Sequence, residues 1–367
     1  MKISDIKIRA IRHEIEESAY NLKDGTGLKF EFLAITFKTD EDVSVDVVGF
    51  AGRDAEGIGH TAENVLKPFF LGRDPYYREL HWHDFRKYDR TWHFTPIYSY
   101  APFDIACHLI AAEKAGLPLY KYLGAYRDEV PVYGSSLTLD TPEKYAAEAK
   151  EQQDKGWAAY KLHPPVDYDF GLKAHRLARE AVGPDFTLMS DPVGSYTAEQ
   201  CLKFGRELEK LDYKWLEEPL YDESPSALRE LARALDIPII GGETLNKRPY
   251  SLAEYISTRA IDMVRADVSW SGGITGTMKT AHLCESFGMQ CEIHTAIFHP
   301  LELVNLHVCA AIKNCEYFEL LVPTHLFNVG LTEDIQIENG MAKLPDKPGL
   351  GIDLDWDFID NNTFKEF

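Results

Sequence analysis

Val130-Pro131-Val132-Tyr133-Gly134, followed closely by Thr141-Pro142-Glu143, sets the pattern that decides the fold. The first run is rich in β-branched and aromatic residues and reads as a strand. The second places a threonine at a helix N-cap and a proline in the first turn, where its missing N–H costs nothing. The alternation then repeats. Strand-like runs lie at 157–163, 186–191, 214–217, 237–241, 263–267, 290–294 and 317–321, with amphipathic helical runs between them, such as 171–182, 225–235 and 275–287. Parallel strands need a crossover, usually a helix. Eight such units in roughly 200 residues predict an α/β chain closed into a (β/α)₈ barrel of the TIM type. An open doubly wound sheet is the competing arrangement, but no G-x-G-x-x-G follows an early strand.

Outward from the barrel the pattern changes. Ile6-Lys7-Ile8-Arg9-Ala10-Ile11 and Phe32-Leu33-Ala34-Ile35-Thr36-Phe37 alternate like antiparallel strands, and a helical pattern covers 99–115. Residues 1–125 therefore read as an N-terminal α+β capping domain and 126–325 as the catalytic barrel. Residues 326–367, with the turn chemistry of Pro345-Asp346-Lys347-Pro348-Gly349, read as a C-terminal segment returning to the cap.

The formal net charge of −20 excludes a basic face for nucleic acid, since phosphate contacts need clustered Lys and Arg. No run of 18 apolar residues is present, so no membrane span is expected. The N-terminus carries no long apolar run, and a cytoplasmic enzyme is the expectation. The six cysteines, Cys107, Cys201, Cys284, Cys291, Cys309 and Cys315, form no C-x-x-C pair and read as small core residues.

In a barrel of this kind the reactive groups sit at the C-terminal ends of the strands. Strand two ends with Lys161 and His163, strand three with Asp191, strand four with Glu217 and strand five with Glu243. Strands six, seven and eight carry Asp267, His294 and Glu319. A lone carboxylate past a strand is ordinarily a helix N-cap or a solvated residue. Three on adjacent strands would repel one another if buried without a cation. Oxygen ligands of this kind suit Mg²⁺ better than zinc, which prefers His and Cys. Lys161 and His163 stand at i and i+2 and share one face of their strand. A carboxylate beside one imidazole nitrogen fixes the tautomer and leaves the other for proton transfer, the relation expected of Asp267 and His294.

These residues resemble the mandelate racemase and muconate lactonizing enzyme branch of the enolase superfamily. The likeness rests on Trp215-Leu216-Glu217-Glu218-Pro219, Gly241-Gly242-Glu243, Asp267 with His294, and Lys161-Leu162-His163. Leu344-Pro345-Asp346-Lys347-Pro348-Gly349-Leu350-Gly351 and Gly116-Leu117-Pro118-Leu119-Tyr120-Lys121-Tyr122-Leu123-Gly124 carry it further, so that it spans nearly the whole chain. The resemblance implies Mg²⁺ held by Asp191, Glu217 and Glu243, with Glu218 a neighbour, and a small carboxylate substrate on the metal. His294, oriented by Asp267, would be one acid/base and His163 the other. Lys161 would lie against the carboxylate, and Glu319, with a raised pKa among apolar neighbours, would donate a hydrogen bond to it.

Two positions depart from the branch's pattern: Lys-x-His replaces the usual Lys-x-Lys, and Val193 stands where Asn is frequent. The implied reaction is α-proton abstraction through an enolate, most simply dehydration of a sugar acid to a 2-keto-3-deoxy acid. Racemisation or epimerisation, cycloisomerisation, and a non-catalytic sugar-acid-binding barrel are the alternatives. Cap loops near 14–29 and 50–60 would close over the substrate, with Tyr20, Asn21, Lys23, Lys29 and Arg53 as candidate contacts. A homo-oligomer is expected.

Overall fold

Alternation begins the first sheet. In β1 (Ile3–Ile15) the side chains of Ile6, Ile8 and Ala10 are buried while Lys7 faces water, the period-2 pattern of a half-buried strand. β1 pairs antiparallel with β2 (Leu28–Thr39), and β2 with β3 (Ser44–Phe50). The computed structural model describes residues 1–15, 28–243, 245 and 249–367.

Eight parallel strands follow: β4 (Glu129–Ser136), β5 (Ala159–Leu162), β6 (Thr187–Ser190), β7 (Leu216–Glu217), β8 (Ile239–Gly241), β9 (Met263–Ala266), β10 (Cys291–Ile293) and β11 (Phe318–Val322). Each pairs with the next from β4 to β10, and β11 returns to pair with β4. The protein is an α/β chain whose large parallel sheet curls into a barrel under an N-terminal cap. The connecting helices start on ordinary capping chemistry. Thr197 and Gln200 form a capping box, and the Ser224 side chain accepts from the backbone of Ala227 just before Pro225 opens its helix. That helix, Pro225–Ala234, turns Leu228 and Leu231 inward.

The tail divides. β12 (Ile337–Glu338) and β13 (Met341–Lys343) form a hairpin whose second strand pairs with the start of β4, so this part of the tail sits on the barrel. β14 (Thr363–Glu366) returns to the cap sheet, pairing with the outer side of β1 and giving the order β14-β1-β2-β3, and between these pieces Gly349 exchanges backbone hydrogen bonds with Leu117 and Leu119. The long cap helix Ile97–Ala115 lies between cap sheet and barrel. A side chain at Gly49 would come within 2.8 Å of Pro102 on this helix, so the sheet can approach it only at a glycine. On its other side Asp104 accepts from the backbone N–H of Thr275, at the start of the barrel helix Gly273–Ser286.

Inside the barrel Tyr133, Ala159, Met189, Trp215, Ile240, Met263 and Tyr317 pack into an apolar layer. Above it, toward the C-terminal rim, comes a charged layer of Lys161, Glu217, Arg265 and Glu319, none more than 1% exposed. The seam between β10 and β11 carries no strand ladder among the described residues. The Glu292 carboxylate spans it, accepting from the backbone of Glu316 at 2.9 Å and of Tyr317 at 3.2 Å.

Replacing Glu292 with alanine should therefore open the seam. Two buried N–H groups would lose a charged acceptor, a loss of about 2–5 kcal/mol of stability. A fall of several degrees in the thermal midpoint checks this, and an unchanged midpoint would contradict it.

Candidate active site

Each ionisable group expected at the rim stands where a barrel strand ends. Glu217 is the last residue of β7, His163, Asp191, Asp267 and His294 lie one past β5, β6, β9 and β10, and Glu243 lies two past β8. Lys161 and Glu319 lie one layer deeper, within β5 and β11. Gly242, at φ 91°, turns the chain so that Glu243 faces inward, and a side chain there would meet Leu252 at 2.7 Å. The Glu218 carboxylate, itself not at the rim centre, accepts from the Glu243 backbone at 2.8 Å and holds that turn.

Asp191, Glu217 and Glu243 converge, with one ligand oxygen from each within 4.8 Å of the others. Three hard oxygen donors on three neighbouring strands make a site that fits a divalent cation of the Mg²⁺ type. Without one, like charges crowd here. Burial first, then repulsion from Glu243 and Asp222, pushes Glu218 well above the carboxylate range. Asp191 goes the other way. Burial opposes its charge, but His163 and Lys161 beside it outweigh that and hold the carboxyl well below its usual value.

Two cations counter the cluster from beneath. The Lys161 ammonium lies 2.8 Å from Glu319, 2.9 Å from Glu217 and 3.3 Å from Asp191. The Arg265 guanidinium grips Glu217 with two nitrogens at 2.6 and 2.8 Å, and reaches Glu319 at 3.2 Å and the Tyr133 hydroxyl at 2.7 Å. A planar fork on a carboxylate is the strong geometry for a buried pair. Sequence reasoning missed Arg265. Its signal was there: it stands two residues before Asp267 on one strand, so both face the same side.

The two imidazoles come in from separate strands. His163 Nε2 lies 3.0 Å from Asp191, and its Nδ1 is buried without a partner. His294 Nε2 lies 3.2 Å from Glu243, and its Nδ1 faces Asp267 Oδ2 at 3.6 Å. Asp267 is anchored by its other oxygen, which accepts from the backbone of Ser269 at 2.6 Å and of Trp270 at 2.7 Å. The Trp270 ring stacks on His294 with centroids 5.1 Å apart. Burial lowers the affinity of His294 for a proton, but the nearby carboxylates of Glu243, Asp267 and Glu319 together raise its pKa.

The surroundings of Glu319 differ from those its sequence neighbours suggest. Burial favours its neutral form, but Lys161, Arg265 and His294 outweigh that and push its pKa well below the usual carboxylate range. Its oxygens accept, one from Lys161 and the other from the Thr295 backbone at 3.0 Å.

His163, Asp191, Glu218, Glu243 and His294 border a cavity of about 300 Å³ that the cap residue Phe30, from β2, also lines. Ser136 at the end of β4 and Thr138 beyond it line it as well. Of the expected cap contacts, Lys29 pairs with Glu14 at 2.8 Å across β1 and β2, both side chains half exposed. Lys29 and Arg53, the latter in an exposed turn, do not line this cavity. Tyr20, Asn21 and Lys23 lie outside the described residues.

Comparison with known proteins agrees with this geometry. The family model for enolase C-terminal domain-like proteins matches residues 144–358. The chain is 31% identical to arabinonate dehydratase of Saccharolobus solfataricus over 86% of its length and 87% of that protein's. It is 27% identical to N-succinyl-L-Arg/Lys racemase of Bacillus cereus over 99% of its length and 98% of that protein's. Its fold superposes on the magnesium-complexed D-glucarate dehydratase of Agrobacterium tumefaciens with a TM-score of 0.88 and 33% identity, covering both chains in full. The chain is an enzyme of the enolase superfamily and belongs to its mandelate racemase and muconate lactonizing enzyme branch.

Proposed function

We propose that this enzyme removes the proton α to the carboxylate of a sugar acid and expels the β-hydroxyl as water, leaving a 2-keto-3-deoxy acid. One observation carries the reading. Two imidazoles, on the non-adjacent strand ends of β5 and β10, each stand about one hydrogen bond from a different member of the acidic triad. A substrate carboxylate held at the triad would thus have a proton-transfer group on either side of its α-carbon. That several relatives are dehydratases, arabinonate dehydratase and the L-talarate/galactarate dehydratase of Salmonella typhimurium among them, supports the choice of dehydration.

In this mechanism Asp191, Glu217 and Glu243 hold Mg²⁺, which supplies positive charge where the substrate's carboxylate oxygens gain negative charge. Lys161, fixed from below by Glu217 and Glu319, adds a second cation to the floor of the site. Glu319 acts as the fixed acceptor that holds Lys161 and the Thr295 backbone in place. Asp267 keeps the proton of His294 on Nδ1, so that Nε2 faces the substrate as base or acid. Loss of the α-proton builds an enolate. One imidazole then delivers a proton to the β-hydroxyl, the C–O bond breaks, water departs, and the enol product tautomerises to the keto acid. The same two imidazoles also suit reprotonation on the opposite face, so epimerisation is the second reading, supported by the racemase among the relatives.

Removing divalent cations with a chelator should abolish turnover, and added Mg²⁺ should restore it. Asp191→Asn should lose several kcal/mol of transition-state stabilisation, roughly 10³-fold in kcat/KM. Full activity in chelated enzyme would overturn the metal assignment.

Deuterium exchange separates the faces. If His163 takes the α-proton and His294 assists the departure of water, His294→Asn should still exchange the substrate α-proton with D₂O while forming no product, and His163→Ala should do neither. If His294 is the base, the two variants exchange roles. Recovery of a deuterated epimer with no keto acid from the wild-type enzyme would replace the dehydratase reading with the epimerase one.

A further inference from the structure

The triad sits on β6, β7 and β8. Across the barrel mouth from it, the wall is apolar. Leu137 follows β4, Leu321 lies in β11, Ile297 lies in the loop after β10, and Phe30 reaches over from the cap; all four line the cavity. They form the open face of a small hydrophobic cluster whose buried members are Ile15, Leu326 and Phe327, with the rings of Phe30 and Phe327 meeting edge to face at 5.8 Å.

Ile297 is held there at a cost. It is β-branched and adopts φ 70°, a conformation such residues avoid. Buried Glu302 keeps it so by accepting from the Ile297 backbone at 2.8 Å and from the Thr295 hydroxyl. Strain retained at a cavity wall marks a surface shaped for contact.

Of the hydroxyls along this wall, Ser136 accepts from the His163 backbone at 2.9 Å, Thr295 donates to Glu302, and Thr138 lies exposed at the edge. Among the described residues no lysine or arginine lines the cavity.

We infer that the substrate is a sugar monoacid whose end away from the carboxylate is a methyl group, a deoxy sugar acid, and that Phe30, Leu137, Ile297 and Leu321 form its specificity pocket. This rests on the sugar-acid dehydratase reading above. With the carboxylate at the triad and the α-carbon between the imidazoles, the chain runs toward this wall. A methyl there gains apolar contact, whereas a hydroxyl would lose its water without replacement.

The test is a set of matched six-carbon acids with Mg²⁺, read by keto-acid formation: 6-deoxy-L-galactonate against L-galactonate, 6-deoxy-L-mannonate against L-mannonate, the D-series counterparts of both pairs, and the diacid galactarate. In each pair that turns over, the deoxy member should have kcat/KM higher by roughly tenfold or more, from the cost of one unpaired buried hydroxyl, with the diacid poorest. Leu321→Thr should shrink that ratio by giving the hydroxyl a partner. Turnover with no preference for the methyl, or with the diacid preferred, overturns this inference and leaves the dehydratase reading standing. Keto acid from none of the panel defeats both.

Discussion

Like charges gathered into one small volume are the constraint on which the rest of the site depends. Three carboxylates lie within a few ångströms at the barrel rim, with Glu218 and Glu319 close by. No barrel core could hold them bare, because each buried charge must find a counter-charge or take up a proton. The protein answers from below with Lys161 and Arg265, both fully buried, and from the sides with His163 and His294. On the side toward the cavity the three carboxylates could hold a divalent cation. Two of the same carboxylates, Asp191 and Glu243, also meet the imidazoles of His163 and His294.

This layering explains the architecture around it. The apolar layer of Tyr133, Trp215, Met189 and their neighbours closes the barrel below, so that Arg265 can bond Tyr133 and Glu217 without water. The cap lies over the mouth and contributes Phe30. Where strand pairing lapses between β10 and β11, side chains take over, with Glu292 at the outer end of the seam and Glu319 bonding Thr295 at the inner end. That seam separates the strand bearing His294 from the strand bearing Glu319, so its stability and the alignment of the site are linked.

Much of this was legible in the sequence because the barrel repeats. Strand ends recur every 24 to 30 residues from Lys161 to Glu319, and an ionisable residue at each of them is a signal no individual residue supplies. What escaped depends on contacts between strands. The neighbours of Glu319 in sequence, Tyr317, Phe318 and Leu320, suggested an apolar setting and a raised pKa. The groups that meet its carboxylate are Lys161 and Arg265, on β5 and β9, and they reverse the shift. Lys29 was a candidate contact, yet successive side chains in a strand face opposite ways, and its neighbour Phe30 lines the cavity. The tail was read as returning to the cap, but the sequence does not encode that one of its short strands pairs with β1 and another with β4.

Calorimetric titration of Mg²⁺ into chelator-treated protein tests the central claim most directly, because it reads the counter-charge without needing the substrate. The account predicts one saturable site per chain, lost when Glu243 is replaced by Gln. An absence of saturable binding at millimolar Mg²⁺, or binding that survives that replacement unchanged, would contradict it.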